Sequence, residues 1–294
     1  PLMNLESSEN FGMEIQLTHR NKVGDFSYGI STMMTITRQK YGNSVARKDY
    51  GSSYDKWRND NLNNRYQGIQ FGYEADGRFE SWKDIWEYGK NIYTEANTLP
   101  GDYKYLDWNR DGEINGLDEH PYAYDQTPWM NYSLSFDMQY KSFDFSVLFQ
   151  GSALGSVQYT ESLRAIWGVQ AGAGGVLTQF KYRWHPAEEG WKDPYDQTLT
   201  WTKGYYALTG HEARSNSSYN RISTNYLRVK SIEIGYTLPK FKSWQEFGLR
   251  VYANEYNPFT LSHMKYSDPE HPSNSYDRLY PLNKTYTIGL NLSF

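Results

Sequence analysis

Cysteine is absent from this 294-residue chain, and that absence removes a disulfide framework, a thiolate zinc centre and a cysteine nucleophile together. Packing and strand pairing are left to hold the fold. Also missing is any long apolar run. A helix that crosses a bilayer needs about 20 mostly apolar residues in a row, and apolar stretches here stop after a few. A crossing strand escapes that test, because it needs only about ten residues with every second one apolar. Charge of one sign is lacking too: 30 Lys and Arg against 34 Asp and Glu leave a net charge of −4. The basic residues form no stripe, so nucleic acid is excluded as an expected partner. The six histidines are dispersed, with no H-E-x-x-H among them. No G-x-S-x-G occurs, and the glycines at Gly172, Gly174 and Gly175 are not followed by the lysine of a phosphate loop. No acid pair is defined by its spacing, and the chain is not expected to be an enzyme. It opens Pro1-Leu2-Met3 with no leader peptide, which makes an internal or processed start the expectation.

What the chain does have is aromatic residues, 17% of it and 28 of them tyrosine, set in blocks of period two. Tyr286, Ile288, Leu290, Leu292 and Phe294 alternate with Thr285, Thr287, Gly289, Asn291 and Ser293. Tyr132, Leu134, Phe136, Met138 and Tyr140 alternate with Ser133, Ser135, Asp137 and Gln139, and Phe143, Phe145, Val147 and Phe149 with Asp144, Ser146 and Gln150. Similar blocks cover Phe11–Leu17, Phe26–Ile30, Ile232–Leu238 and Phe247–Ala253. One face of each is greasy and the other small or polar, which predicts about seven strands.

The connections alternate in length. Short ones are predicted at Asn21–Asp25, Lys141–Ser142 and Pro239–Glu246, long ones at Thr37–Pro128, Val157–Arg221 and Glu255–Lys284. A soluble sandwich has no reason to gather its long loops at one end, whereas an outer-membrane barrel has short periplasmic turns and long extracellular loops. The predicted fold is therefore all-β, a fragment of a transmembrane antiparallel β-barrel whose first strand starts outside and whose last runs toward the periplasm. Residues 1–294 form part of one barrel domain, with 38–128 an extracellular loop region. Within it Ser81 is placed to cap a short helix bearing Trp82, Ile85 and Trp86.

One stretch has metal-ligand spacing. Asp107, Asn109 and Asp111 supply side-chain oxygens, Gly112 permits a tight turn, Glu113 offers its backbone carbonyl and Asp118 closes a twelve-residue loop over 107–118. Ile114 is expected to pack beneath it. Calcium is the expected cofactor, with magnesium as the alternative. The closing Asp in place of Glu shortens the reach, and the extended run Gly101–Leu106 precludes a helix pair. The other reading is an acidic turn in which Asx side chains cap their own backbone.

Aromatics at strand ends suit an interfacial girdle. Trp57, Trp167, Trp184, Trp191, Trp201, Tyr205 and Tyr206 lie in predicted loops; packing is the expectation for each, and stacking on a sugar the alternative. Glu14, Asp137, Asp144, Glu233 and Arg250 fall on the polar face, where a barrel lumen pairs such groups across strands.

Several stretches together resemble the SusC/RagA-like branch of TonB-dependent transporters of Bacteroidetes. They are Tyr73–Trp82, Gly101–Asp107 leading into the Asp-Gly loop, Asn225–Pro239, Tyr280–Leu282 and Tyr286–Phe294. The resemblance implies a barrel of about 22 strands, of which this chain supplies the C-terminal ones, with the plug and the TonB-contacting segment outside it. It implies uptake of oligosaccharides or peptides across a Gram-negative outer membrane, with outer-membrane lipid around the wall and a SusD-like surface lipoprotein over the long loops. Phe294 would then close the signal read by the barrel-assembly machinery. A passive porin or structural barrel is the second hypothesis, and a secreted carbohydrate-binding domain the third. The substrate-binding residues are not legible.

Overall fold

The computed structural model describes residues 6–42, 64–88, 91–92, 98–158, 178–208, 216–239, 248–264, 267–270 and 282–294. Its dominant element is a seven-stranded antiparallel sheet formed by β1 (Ser8–Val23), β2 (Phe26–Tyr41), β3 (Met130–Tyr140), β4 (Phe143–Ala153), β5 (Tyr226–Thr237), β6 (Gly248–Ser262) and β7 (Thr285–Ser293), each paired with its neighbour in sequence. Among the described residues no helix is long and apolar enough to cross a membrane. Phe247 and the turn beyond Pro239 lie outside the described residues.

Register makes the sheet two-faced. Tyr28, Met138, Phe145, Ile234, Ala253 and Ile288 are joined by direct pairing in one row across six strands. Ile30, Phe136, Val147 and Ile232 form the next. Because side chains alternate, a slip of one residue anywhere would turn a whole strand's apolar set to the other face. This apolar face is solvent-accessible along its length: Leu17, Phe143, Ile234, Ile288 and Leu292 are all exposed. An accessible, continuous apolar face with a polar reverse is what a barrel wall presents to lipid.

Several strands outrun their predicted limits. The first turn tightens to Gly24–Asp25, since Lys22 pairs with Ser27 and Val23 with Phe26; Gly24 takes φ +61°, a conformation glycine adopts without strain. Strand β2 continues to Tyr41 and β6 to Ser262, so the long connections begin later than Thr37 and Glu255. In β5 the register shifts between Val229 and Ser231, leaving Lys230 as a bulge residue.

The hydrophobic core lies outside the sheet. Residues 64–88, 91–92, 98–129, 178–208 and 216–223, from the first two long connections, fold against each other around Tyr73, Phe79, Leu99, Tyr103, Tyr105 and Ile114, all buried. Tyr73 N–H donates to Asn216 O at 2.9 Å, Ser218 N–H returns to Tyr73 O at 3.0 Å, and Ala75 N–H donates to Ser218 Oγ at 2.8 Å. The two loops are one folded unit at the long-connection end of the sheet.

Candidate functional site

The 107–118 loop is positioned by short strands within that unit. Tyr103–Tyr105 pairs with Ala75–Arg78 just before the loop, and Glu113–Ile114 pairs in parallel with Asn91–Ile92 inside it. Ile114, 1% exposed, pins the loop to the aromatic core as expected. Gly112 takes φ +89°. The predicted helix is present as α1 (Trp82–Tyr88), with Ser81 Oγ accepting from Asp84 N–H at 3.2 Å. Trp82 and Ile85 are half-buried, whereas Trp86 is exposed.

The candidate side-chain oxygens are directed at the loop's own amides. Asp107 accepts from Asp111 N–H at 3.2 Å and Gly112 N–H at 3.0 Å. Asn109 Oδ1 accepts from Asp111 N–H at 3.0 Å while its Nδ2 donates to Asp111 Oδ2 at 2.8 Å. Asp111 Oδ1 accepts from Glu113 N–H at 2.8 Å. The fully buried Asp118 accepts from Trp108 N–H and Asn115 N–H, both at 2.8 Å, and joins Asn115 in a reciprocal cap of the turn Gly116–Asp118. Among the described residues no three His, Asp or Glu side chains converge as a metal-ligand group. The oxygens are of the kind calcium takes, but the side-chain oxygens of Asp107, Asn109, Asp111 and Asp118 accept from N–H groups of the loop itself.

Sequence reading missed the neighbours of this loop. His120 is buried, stacked on Trp108 at 3.8 Å, with Nδ1 3.1 Å from Asp118 O and Nε2 3.0 Å from Glu74 Oε2. No spacing rule joins Glu74 to His120, because only the fold brings them together.

Of the loop aromatics, Trp184 and Tyr206 are buried packing residues, Trp191 and Trp201 are half-buried, and Tyr205 is exposed. Trp57, Trp167 and the Gly172–Gly175 run lie outside the described residues. On the polar face of the sheet, Arg250 of β6 binds Asp144 of β4, with Nε–Oδ2 3.0 Å, and Glu233 of β5 at 2.7 Å. The bridge spans β5 because Gly235 leaves room: a Cβ there would strike both Asp144 and Arg250.

Tyrosine burial in the loop unit gives it a pH limit. Burial pushes the Tyr88 phenol up to about 12, and it raises Tyr103 and Tyr219 as well. Tyr88 also donates to Tyr105 O at 2.7 Å. A raised phenol stabilises the folded unit fully below the ordinary tyrosine value near 10, and that contribution is lost as pH rises through about 12 for Tyr88. The unit is expected to open between those values, read as a late phenolate absorbance step that shrinks in Tyr88→Phe. A titration unaltered by that change would disprove the assignment.

No family model matches the chain. TonB-dependent receptor SusC of Bacteroides thetaiotaomicron is 28% identical over 298 residues, covering 99% of this chain and 27% of SusC. TonB-dependent receptor P3 of Formosa agariphila is 27% identical over 319 residues, covering 100% of this chain and 29% of that receptor. The chain thus spans less than a third of the length of these relatives. The structure of the RagAB peptide transporter superposes with TM-score 0.66 at 15% identity, over 99% of this chain and 29% of that one. The RagAB peptide importer in its closed-closed state gives 0.65 at 16%, over 99% and 30%. At those identities the structures show a shared fold. The similar proteins are receptors and transporters and not enzymes. A two-faced antiparallel sheet, a sequence likeness running end to end and a shared fold together make this chain similar to a stretch of a SusC/RagA-like TonB-dependent receptor.

Proposed function

We propose that the chain forms part of the wall and the outer loop unit of a TonB-dependent importer in a Gram-negative outer membrane, taking up oligosaccharides or peptides together with a SusD-like surface lipoprotein. The observation that carries this is the register, which sets the apolar residues of seven strands on one face. Tight turns at one end and the folded loop unit at the other add orientation: the loop unit faces outward, toward the lipoprotein, and the polar face lines the passage. TonB engages the parent protein through its plug region.

The test follows uptake. The parent protein should fractionate with the outer membrane and show heat-modifiable gel mobility, and uptake of a labelled oligosaccharide or peptide should stop when TonB is removed. Uptake that persists without TonB would favour the passive porin, and solubility without detergent would favour the secreted binding domain.

The same reading gives the 107–118 loop a calcium ion, with magnesium as the alternative. Support comes from the spacing of Asp107, Asn109, Asp111, Glu113 and Asp118 and from the placing of two buried carboxylates, Asp107 and Asp118, in one loop. Binding requires the Asn109–Asp111 side-chain hydrogen bond to open. Changing Asp107 and Asp111 together to Ala should take the metal content from about one ion per chain to none; metal content unchanged by that pair refutes the site, leaving a self-capped turn.

A further inference from the structure

Among the described residues, two cations on the apolar face have no anion. Phe11 pairs with Arg38 and Glu9 with Lys40, two and four residues beyond the Met13–Ile36 pair that ends the apolar rows. By alternation Arg38 and Lys40 share the face of Ile30, Met34 and Ile36. From Phe26 to Ile36 the strand rises roughly 34 Å, which a tilt of about 45° reduces to about 24 Å, the height of a lipid-facing apolar band. Arg38 and Lys40 therefore stand about 5 and 10 Å above that band, the depth of a lipid headgroup layer.

Both cations rest on aromatic rings. The Arg38 guanidinium carbon lies 3.4 Å from the Tyr66 ring centre and 3.7 Å from that of Trp129. Lys40 Nζ is 4.7 Å from Tyr66 and 5.6 Å from Phe11. Among the described residues neither side chain makes a hydrogen bond or an ion pair, and Arg38 Nε is enclosed without a partner. Glu9, opposite Lys40, forms no ion pair with it. Two other arginines of the sheet, Arg228 and Arg250, each hold two carboxylates.

We propose that Arg38 and Lys40 form a headgroup site for a phosphorylated lipid of the outer leaflet, resting on the barrel reading above. The rings fix the guanidinium plane and leave its outer edge to donate to phosphate oxygens, as an arginine fork does. Lys40 adds a second charge, and the acyl chains run down over Met13, Met34 and Ile36. Stacking on Tyr66 and Trp129 holds the long side chain in place before the lipid arrives, so little rotamer entropy is lost on binding.

The test measures phosphorylated lipid that co-purifies with the intact parent protein from outer membranes in mild detergent. In the double variant R38Q/K40Q it should fall at least about tenfold, in R38K/K40R it should fall less because the charges stay while the fork is lost, and the control R20Q/K22Q at the tight-turn end should retain it. Equal lipid in R38Q/K40Q and the unaltered protein overturns the site. Displacement of the lipid by millimolar inorganic phosphate, with phosphate retained by delipidated protein, overturns the lipid assignment in favour of a phosphate site. Heat-modifiable mobility of every variant reports the barrel separately: its absence from the unaltered protein would fail the barrel reading, whereas its presence with unchanged lipid fails only this site.

Discussion

Replacing Arg228 by alanine is expected to free residues 267–270 from the sheet at a cost of about 2–3 kcal/mol. Arg228 is 2% exposed, and its Nη2 spans both oxygens of Asp268 at 2.8 and 2.7 Å. Nη1 binds Glu270, and Nε donates to Thr260 Oγ1 at 2.9 Å. Removing one partner of a buried pair costs about 3–5 kcal/mol because the other charge is stranded. Here the carboxylates are 24% and 20% exposed, and Glu270 keeps Lys230 at 3.0 Å. Water and that lysine relieve part of the penalty, which sets the estimate below the buried-pair range. The consequence is local: the connection between β6 and β7 loses its anchor while the strand ladder persists. Protease added to intact membranes should cut that connection faster in Arg228→Ala, with heat-modifiable mobility unchanged. Arg228→Lys should be intermediate, since an ammonium cannot span Asp268 and reach Glu270 together. Cleavage no faster in the alanine variant would show that the four charged groups do not tether the segment.

How this anchor escaped sequence reading, while the strands did not, has a physical reason. A strand's two faces differ in kind, so Tyr132–Tyr140 and Phe143–Phe149 declare themselves without knowledge of any partner. Ion pairs across strands depend on register, and register depends on turn lengths and bulges. The triad of Asp144, Glu233 and Arg250 could be assigned to one face but not joined. The Lys230 bulge did leave a trace, because the apolar positions Leu227, Val229, Ile232 and Ile234 are spaced by two, three and two, and the odd interval marks the shift. The loop unit left almost none. Its core is drawn from Tyr73, Tyr103, Tyr105, Ile114 and Ala207, with Tyr219 against it, and no period links residues so far apart. In the 107–118 loop the residue types and the glycine turn were legible. The closure of Asp118 onto Trp108 and Asn115 was not, since a side chain's choice between an ion and its own backbone amides is not written in spacing.

Gly101→Ala should damage the loop unit by about 2–5 kcal/mol, through backbone strain and overpacking together. Leu99-Pro100-Gly101-Asp102 is a tight turn closed by Asp102 N–H to Leu99 O at 3.0 Å, with Asp102 Oδ2 accepting from Leu99 N–H at 2.7 Å. Proline suits the second position of a type II turn, and the third requires positive φ. Gly101 has φ +94°, which costs an alanine about 1–2 kcal/mol. A methyl there would also lie 2.5 Å from Trp184 Cβ, and Trp184 is 4% exposed with nowhere to retreat; overpacking of that kind adds about 1–3 kcal/mol. Gly77 separates the two effects. Its φ is +83°, yet nothing lies within 4 Å of a Cβ built on it, so Gly77→Ala should pay only the dihedral cost. Hydrogen exchange on the intact protein reads the difference as lost protection at Tyr103–Tyr105 and Ala75–Arg78, larger for residue 101 than for 77. Equal losses would mean that the Trp184 ring yields. A loss confined to residue 77 would contradict the packing of the second long loop against the first. Because Gly101 precedes the Tyr103–Tyr105 strand that leads into Asp107, the same substitution should loosen the acidic loop without touching any of its oxygens.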